Sequence, residues 1–364
     1  MFFMGILRCK QLIKECSDHP FTVVAEHQKS ESEYVDEGKG ICTMGTYLNP
    51  GKGCYQMACN SEIFIDKSEM LSSLNVVVNA SQRYVCVTRP RRFGKTTAAD
   101  MLCAYYGRET DGRSLFEKCR ISQVPESTGT HAWNEYLGKF DVIKLVMTVF
   151  FKKGISVDEG LIKLQKLIGR DLAKAYPEVD FFNKDDLLQS LEDVYAETKT
   201  QFVIVIDEWE SVFREYQEDK EGQRKYLDFL RDWLKDKEYI ALAYMTGILP
   251  IQKRGMHSAL SMFDEYSMTS PMQLAPYTGF TEDEVEGLCK RVGHDIRQIR
   301  DRYDGYRVST APEAKKIHLY CPVSVVKAMR TGYVNNYGMR QKPTRRCSGT
   351  LTGTLTGLKR MSRS

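Results

Sequence analysis

The chain has 364 residues, 42% of them hydrophobic and 27% charged, which supplies a sizeable core for one large domain and a smaller one. Those proportions exclude a fibrous or wholly disordered class, and no run of 18 apolar residues offers a transmembrane helix. The formal charge of +4 is misleading, because residues 337–364 hold seven Lys or Arg and no Asp or Glu, and subtracting those seven leaves −3 for the rest. A basic tail of that kind says little about the partners of the folded body.

Residues 1–43 are polar and irregular and are expected to form a poorly structured N-terminal extension. The opening Met1-Phe2-Phe3-Met4-Gly5-Ile6-Leu7 is too short an apolar run for a signal peptide, so the expectation is a cytoplasmic protein with no membrane contact. Eleven cysteines include no C-x-x-C pair, and a zinc site is not expected.

From residue 44 to 276, short apolar runs alternate with amphipathic stretches. Strands are predicted at Glu62–Ile65, Tyr84–Thr88, Phe140–Met147, Phe202–Ile206 and Tyr239–Met245. Apolar runs without clean alternation suit a parallel sheet buried on both faces. Helical periodicity is plain at Thr96–Tyr106, Val157–Ala175, Lys184–Thr198 and Gly222–Asp236. A further helix, Thr281–Val292, opens with the capping box Thr281-Glu282-Asp283-Glu284, and residues 277–336 are expected to form a small helical lid. The tail from 337 to 364 repeats Leu-Thr-Gly and is expected to be disordered; its abrupt loss of acidic residues is what a shifted reading frame would produce.

The chemistry concentrates at two strand ends. After Tyr84-Val85-Cys86-Val87-Thr88 come Arg89-Pro90-Arg91-Arg92-Phe93-Gly94-Lys95-Thr96-Thr97 and then a helix. In a strand-loop-helix of this kind the loop amides and the helix N-terminus face a phosphate, and Lys95 reaches the outer phosphates. Thr96 is placed to hold magnesium through its hydroxyl. Arg89 stands where the P-loop pattern G-x-x-x-x-G-K-[ST] has its first glycine.

The second strand, Phe202-Val203-Ile204-Val205-Ile206, ends in Asp207-Glu208, a Walker B pattern. Asp207 is the candidate magnesium carboxylate and Glu208 the candidate general base toward water. A glutamate directly after the aspartate points to the ATPases that carry a further strand between the two Walker strands, and Phe140–Met147 is the candidate for that strand. Thr246, at the end of Tyr239–Met245, stands where a γ-phosphate sensor would sit, and it reads equally well as a strand-end turn residue. Arg89, Arg91, Arg92 and Arg254 are candidate phosphate-neutralising arginines. His257 is isolated and reads as structural.

These motifs together resemble the AAA-ATPase-like family of bacterial proteins. The likeness rests on Met44-Gly45-Thr46-Tyr47-Leu48-Asn49-Pro50-Gly51, the loop Arg89 to Thr97, Ala99-Asp100-Met101-Leu102, Ile206-Asp207-Glu208-Trp209 and Tyr244-Met245-Thr246-Gly247-Ile248-Leu249-Pro250-Ile251. It continues through Ser261 to Met268 and Tyr303-Asp304-Gly305-Tyr306. The resemblance implies a P-loop ATPase domain, in which Arg at position 89 is usual, commonly followed by a PD-(D/E)XK nuclease-like domain for which no chain remains after Tyr337. The expected fold is an α/β three-layer P-loop sandwich with a mainly parallel sheet. The expected function is ATP binding with magnesium and hydrolysis coupled to a conformational change; the alternative is a nucleotide-binding regulatory or interaction module without significant hydrolysis. A protein partner or a homo-oligomer fits either reading, and nucleic-acid processing is not supported by a tail that lacks carboxylates.

Overall fold

The computed structural model describes residues 45–335 and 337, apart from 109–110, 126–131, 252–258, 304 and 310–315. The expected extension at 1–43, the readings of Arg254 and His257, and the tail beyond Tyr337 lie outside the described residues.

Five strands form one parallel sheet: β1 (Tyr84–Thr88), β2 (Asp141–Val146), β3 (Phe202–Asp207), β4 (Ile240–Gly247) and β5 (Asp264–Tyr266), in the order β2-β3-β4-β1-β5. Alternate residues of each inner strand feed two cores. Cys86, Ile204, Ile206, Ala243 and Met245 face one core, with Leu164, Leu191 and Trp233 from the helices Val157–Ala175, Leu187–Thr198 and Lys220–Leu234. Val85, Val87, Val203, Val205 and Tyr244 face the other, with Leu102 and Tyr106 from the helix Lys95–Tyr106 and Leu71 and Leu74 from Met70–Asn75. Each fully buried aliphatic side chain contributes about 1.5–3 kcal/mol, so this double-sided burial is what holds the sandwich closed. Among the described residues no helix is long and apolar enough to cross a membrane.

The further strand expected between β1 and β3 is present, but it is β4 rather than Phe140–Met147. β4 is buried at all eight positions, as a central strand must be. β2 carries Lys144 and is only partly covered, so it takes the edge beside β3, where residues 47–49 shield it. There the Lys144 amide donates to the Tyr47 carbonyl at 2.9 Å and the Val142 amide to Asn49 Oδ1 at 2.8 Å. Covering an edge in this way removes a pairing site for other chains.

The expected strand Glu62–Ile65 is irregular. Its apolar residues pack sideways instead: Ile65 is buried with Phe280, Val285 and Ile299 of the C-terminal segment. Asp66 ends the run by accepting from the Ser68 and Arg120 amides at 2.8 and 2.6 Å.

The expected helical lid is a mixed structure. Three helices, Glu282–Val292, Ile296–Tyr303 and Pro322–Thr331, accompany an antiparallel sheet of β6 (Phe280–Thr281), β7 (Tyr306–Val308) and β8 (Ile317–Tyr320) in the order β6-β8-β7. The capping box forms as expected, with the Glu284 amide donating to Thr281 and the Thr281 amide to Glu284. Short β runs such as Tyr306–Val308 carry too little periodicity to be read locally; pairing with β8 creates them.

Candidate functional site

Parallel registration brings the carboxyl ends of three strands level, with Thr88 opposite Gly247 and Asp207 opposite Thr246. Ligands of open parallel sheets collect at that end. The loop from Arg89 leaves β1 here and enters the helix Lys95–Tyr106 through Gly94, whose φ of +81° is in the left-handed region that favours glycine. Arg92 also sits at positive φ, +68°, a conformation uncommon for a side-chain-bearing residue. The tight turn aims the first helical amides outward, which is the arrangement that receives an anion.

Lys95 is buried, and its ammonium donates to the carbonyls of Arg89 and Pro90 at 3.1 and 3.0 Å. Burial lowers its pKa, an effect opposed by the carboxylates of Asp207, Glu210 and Glu208. Thr96 donates its hydroxyl to Asp207 Oδ2 at 2.7 Å. Burial raises the Asp207 pKa, against the Thr96 hydrogen bond and the Lys95 charge. Thr97 is half-buried behind them, and Arg91 and Gly94 are exposed at the loop mouth.

Several side chains of the loop are engaged with the protein itself. The Arg89 guanidinium points into the protein and donates to the carbonyls of Thr88, Tyr266 and Leu274 at 2.9, 2.6 and 3.5 Å. It clamps β1 to β5 instead of facing the loop mouth, and burial lowers its pKa to about 10. Phe93 is likewise buried, against Ala275, Val308 and Leu319, with its ring 5.1 Å from that of Tyr306 at 88°. Arg92 extends along the surface and donates to the Tyr337 carbonyl at 3.3 Å. Thr246 is fully buried and donates its hydroxyl to the Val87 carbonyl at 2.9 Å, tying the end of β4 to β1.

Glu208 has a φ of +55°, and its side chain is 42% exposed, with Arg214 Nη2 3.7 Å from Oε2. Strained backbone of this kind persists where the surroundings over-determine it. A third carboxylate was missed by the motif reading. Glu210 is completely buried, makes no hydrogen bond of ordinary geometry, and lies 3.7 Å from Arg214 Nη1. A Cβ on Gly247 would come within 2.1 Å of Glu210 Oε2, so Gly247 is small to admit this carboxylate. Burial raises the Glu210 pKa. The available signal was the run Asp207-Glu208-Trp209-Glu210 followed four residues later by Arg214, the spacing of an ion pair on a helix.

Among the described residues no cluster of three His, Cys, Asp or Glu side chains forms a metal cage. The oxygens of Thr96 and Asp207 nevertheless fit magnesium, which is held in phosphate sites by one or two protein oxygens with the rest from phosphate and water.

The model of the AAA-ATPase-like family, described as "Predicted AAA-ATPase", matches residues 55–257. This chain belongs to that family. Membership supports nucleotide binding by the chain. Among solved structures, the AAA-ATPase-like chain is similar to the ORC2 protein of Aeropyrum pernix in its ADPNP-ADP complexes, at 10% identity and a TM-score of 0.31, over 64% of this chain and 53% of that one. It is also similar to Cdc6p from Pyrobaculum aerophilum, at 12% identity and a TM-score of 0.32, over 76% of this chain and 65% of that one. The chain thus spans about half to two thirds of those proteins, and likeness of that degree says nothing about what it acts on. No curated protein matches it.

Proposed function

We propose that this AAA-ATPase-like chain binds ATP with magnesium at the loop Arg89 to Thr97 and hydrolyses it. The observation that carries the reading is the Thr96 to Asp207 hydrogen bond of 2.7 Å, which joins the first helical turn after the loop to the end of the neighbouring acidic strand. Loop amides up to Gly94 receive the phosphates, and Lys95, released from the Arg89 and Pro90 carbonyls, neutralises the outer ones. Thr96 and Asp207 hold the magnesium. That ion would neutralise charge on the transferred phosphoryl group. Glu208 orients water and accepts its proton.

The consequence for shape runs through Phe93. Its ring fills a C-terminal pocket and its carbonyl accepts from the Gly279 amide at 2.9 Å, so a loop that rearranges around phosphate pulls on the segment that follows β5. That linkage is the proposed conformational output. The regulatory-module reading is favoured by one feature, the 42% exposure of the Glu208 side chain, which leaves that carboxylate open to bulk water.

Calorimetry and single-turnover phosphate release test both readings. Lys95→Ala is expected to abolish magnesium-ATP binding, and retained affinity would remove the loop assignment. Glu208→Gln is expected to keep binding and lose hydrolysis by roughly 10²-fold. Binding without turnover in the wild type would establish the regulatory module instead.

A further inference from the structure

The helix Ser211–Glu215 begins four residues after Asp207 and places Arg214 among three carboxylates. Nε donates to Glu215 Oε1 at 3.1 Å, Nη1 lies 3.7 Å from Glu210 Oε1, and Nη2 lies 3.7 Å from Glu208 Oε2. The guanidinium is a rigid planar fork, so fixing Nε on Glu215 fixes where the two terminal nitrogens point. They point at Glu210 and Glu208, two of the three carboxylates whose charge acts on Lys95.

A surface ion pair would be the plain reading, and such pairs contribute little. Two facts argue for more. Glu210 is fully buried, with only loosely aligned backbone amides, its own and that of Ile248, beside its carboxylate, so a cation there offsets a cost that water cannot. Glu208 has a fixed, strained backbone but a side chain of several rotatable bonds, and among the described residues its carboxylate has one ion pair, with Arg214. Arg214 is therefore, among the described residues, the cation within ion-pair distance of that carboxylate.

We propose that Arg214 is a positioning residue for Glu208, restricting where its carboxylate can lie at the end of the acidic strand so that it meets the water activated for phosphoryl transfer. The proposal rests on the reading of Glu208 as the water-activating group. Glu215 and Glu210 act as the frame that keeps the guanidinium still. Misplacing a reacting group by about 1 Å costs on the order of 10²-fold in rate, which sets the scale of the effect.

The test uses the full chain and measures magnesium-ATP affinity, single-turnover hydrolysis and melting temperature for wild type, Arg214→Met, Arg214→Lys, Glu208→Gln and the Arg214→Met/Glu208→Gln double variant. Met preserves most of the aliphatic stem, and Lys restores the charge without the fork. Arg214→Met is expected to keep affinity within about twofold and to lower the hydrolysis rate by about 10–100-fold, with Arg214→Lys between it and wild type. The double variant should be no slower than Glu208→Gln alone, because a residue acting through Glu208 has nothing left to direct. Additive losses in the double variant, or a rate for Arg214→Met equal to or above wild type, would overturn the proposal while leaving Glu208 in place. Wild-type protein that binds ATP without turning it over would overturn both.

Discussion

The hydroxyl of Thr96 donates to the carboxylate of Asp207 at 2.7 Å, across 111 positions of sequence. Neither residue marks a metal site alone. Together, on adjacent elements at the carboxyl end of the sheet, they present two hard oxygens at a phosphate-type loop. Asp207→Asn is therefore expected to weaken ATP affinity about 10–100-fold in magnesium and to leave affinity in a chelator unchanged. Calorimetry in the two buffers measures the difference, and equal losses in both would detach Asp207 from the metal.

Arg89 gives a prediction of the opposite kind. With its guanidinium spent on the Thr88, Tyr266 and Leu274 carbonyls, Arg89→Met should lower stability by about 2–4 kcal/mol through carbonyls left without donors. Urea unfolding measures it. The loss should appear without nucleotide present, and a fully stable variant with lost ATP affinity would return Arg89 to the phosphates.

Phe93 joins the loop to the C-terminal segment, so Phe93→Ala should cost about 3–5 kcal/mol, the range for emptying a buried phenyl site. The loss belongs to docking rather than to the sheet. Limited proteolysis should accordingly cut the region after Tyr266 faster while residues 84–247 stay protected; uniform protection would show that the segment holds without this ring.

Glu210 makes stability depend on pH. Burial raises its folded pKa above the ordinary 4.5, so the folded state binds this proton more tightly than the unfolded chain does. The resulting stability is complete below about pH 4.5 and is lost as pH rises through the raised folded value. Glu210→Gln removes that titration. Its melting temperature relative to wild type should therefore climb from pH 5 to pH 8, and a constant or falling difference would contradict the buried-acid picture.

Much of the site was legible locally because its parts are runs of chain. Strand, loop and helix from Tyr84 to Tyr106 are contiguous, and a buried strand closed by Asp207-Glu208 announces itself through an abrupt change from apolar to acidic. The helix at Glu282–Val292 was legible for the same reason, since a capping box is made by residues three apart.

What sequence alone determined, then, were features whose physical cause lies within one turn of helix or one strand: the loop, the acidic strand end, the helix capped by Thr281 and the family. Tertiary structure decided which strand stands between β1 and β3, because that choice depends on which of two apolar runs can be buried on every side, and β4 can where Lys144 prevents β2. It likewise decided the directions of side chains. Arg89 read as a candidate for neutralising phosphate and Phe93 only as a member of the loop, yet β5 and the C-terminal segment supply carbonyls and an apolar pocket that outcompete water for their side chains. Glu210 and Arg214 stand four residues apart in sequence, but the burial that makes their pairing matter comes from Gly247 of β4, which only the fold brings beside Glu210.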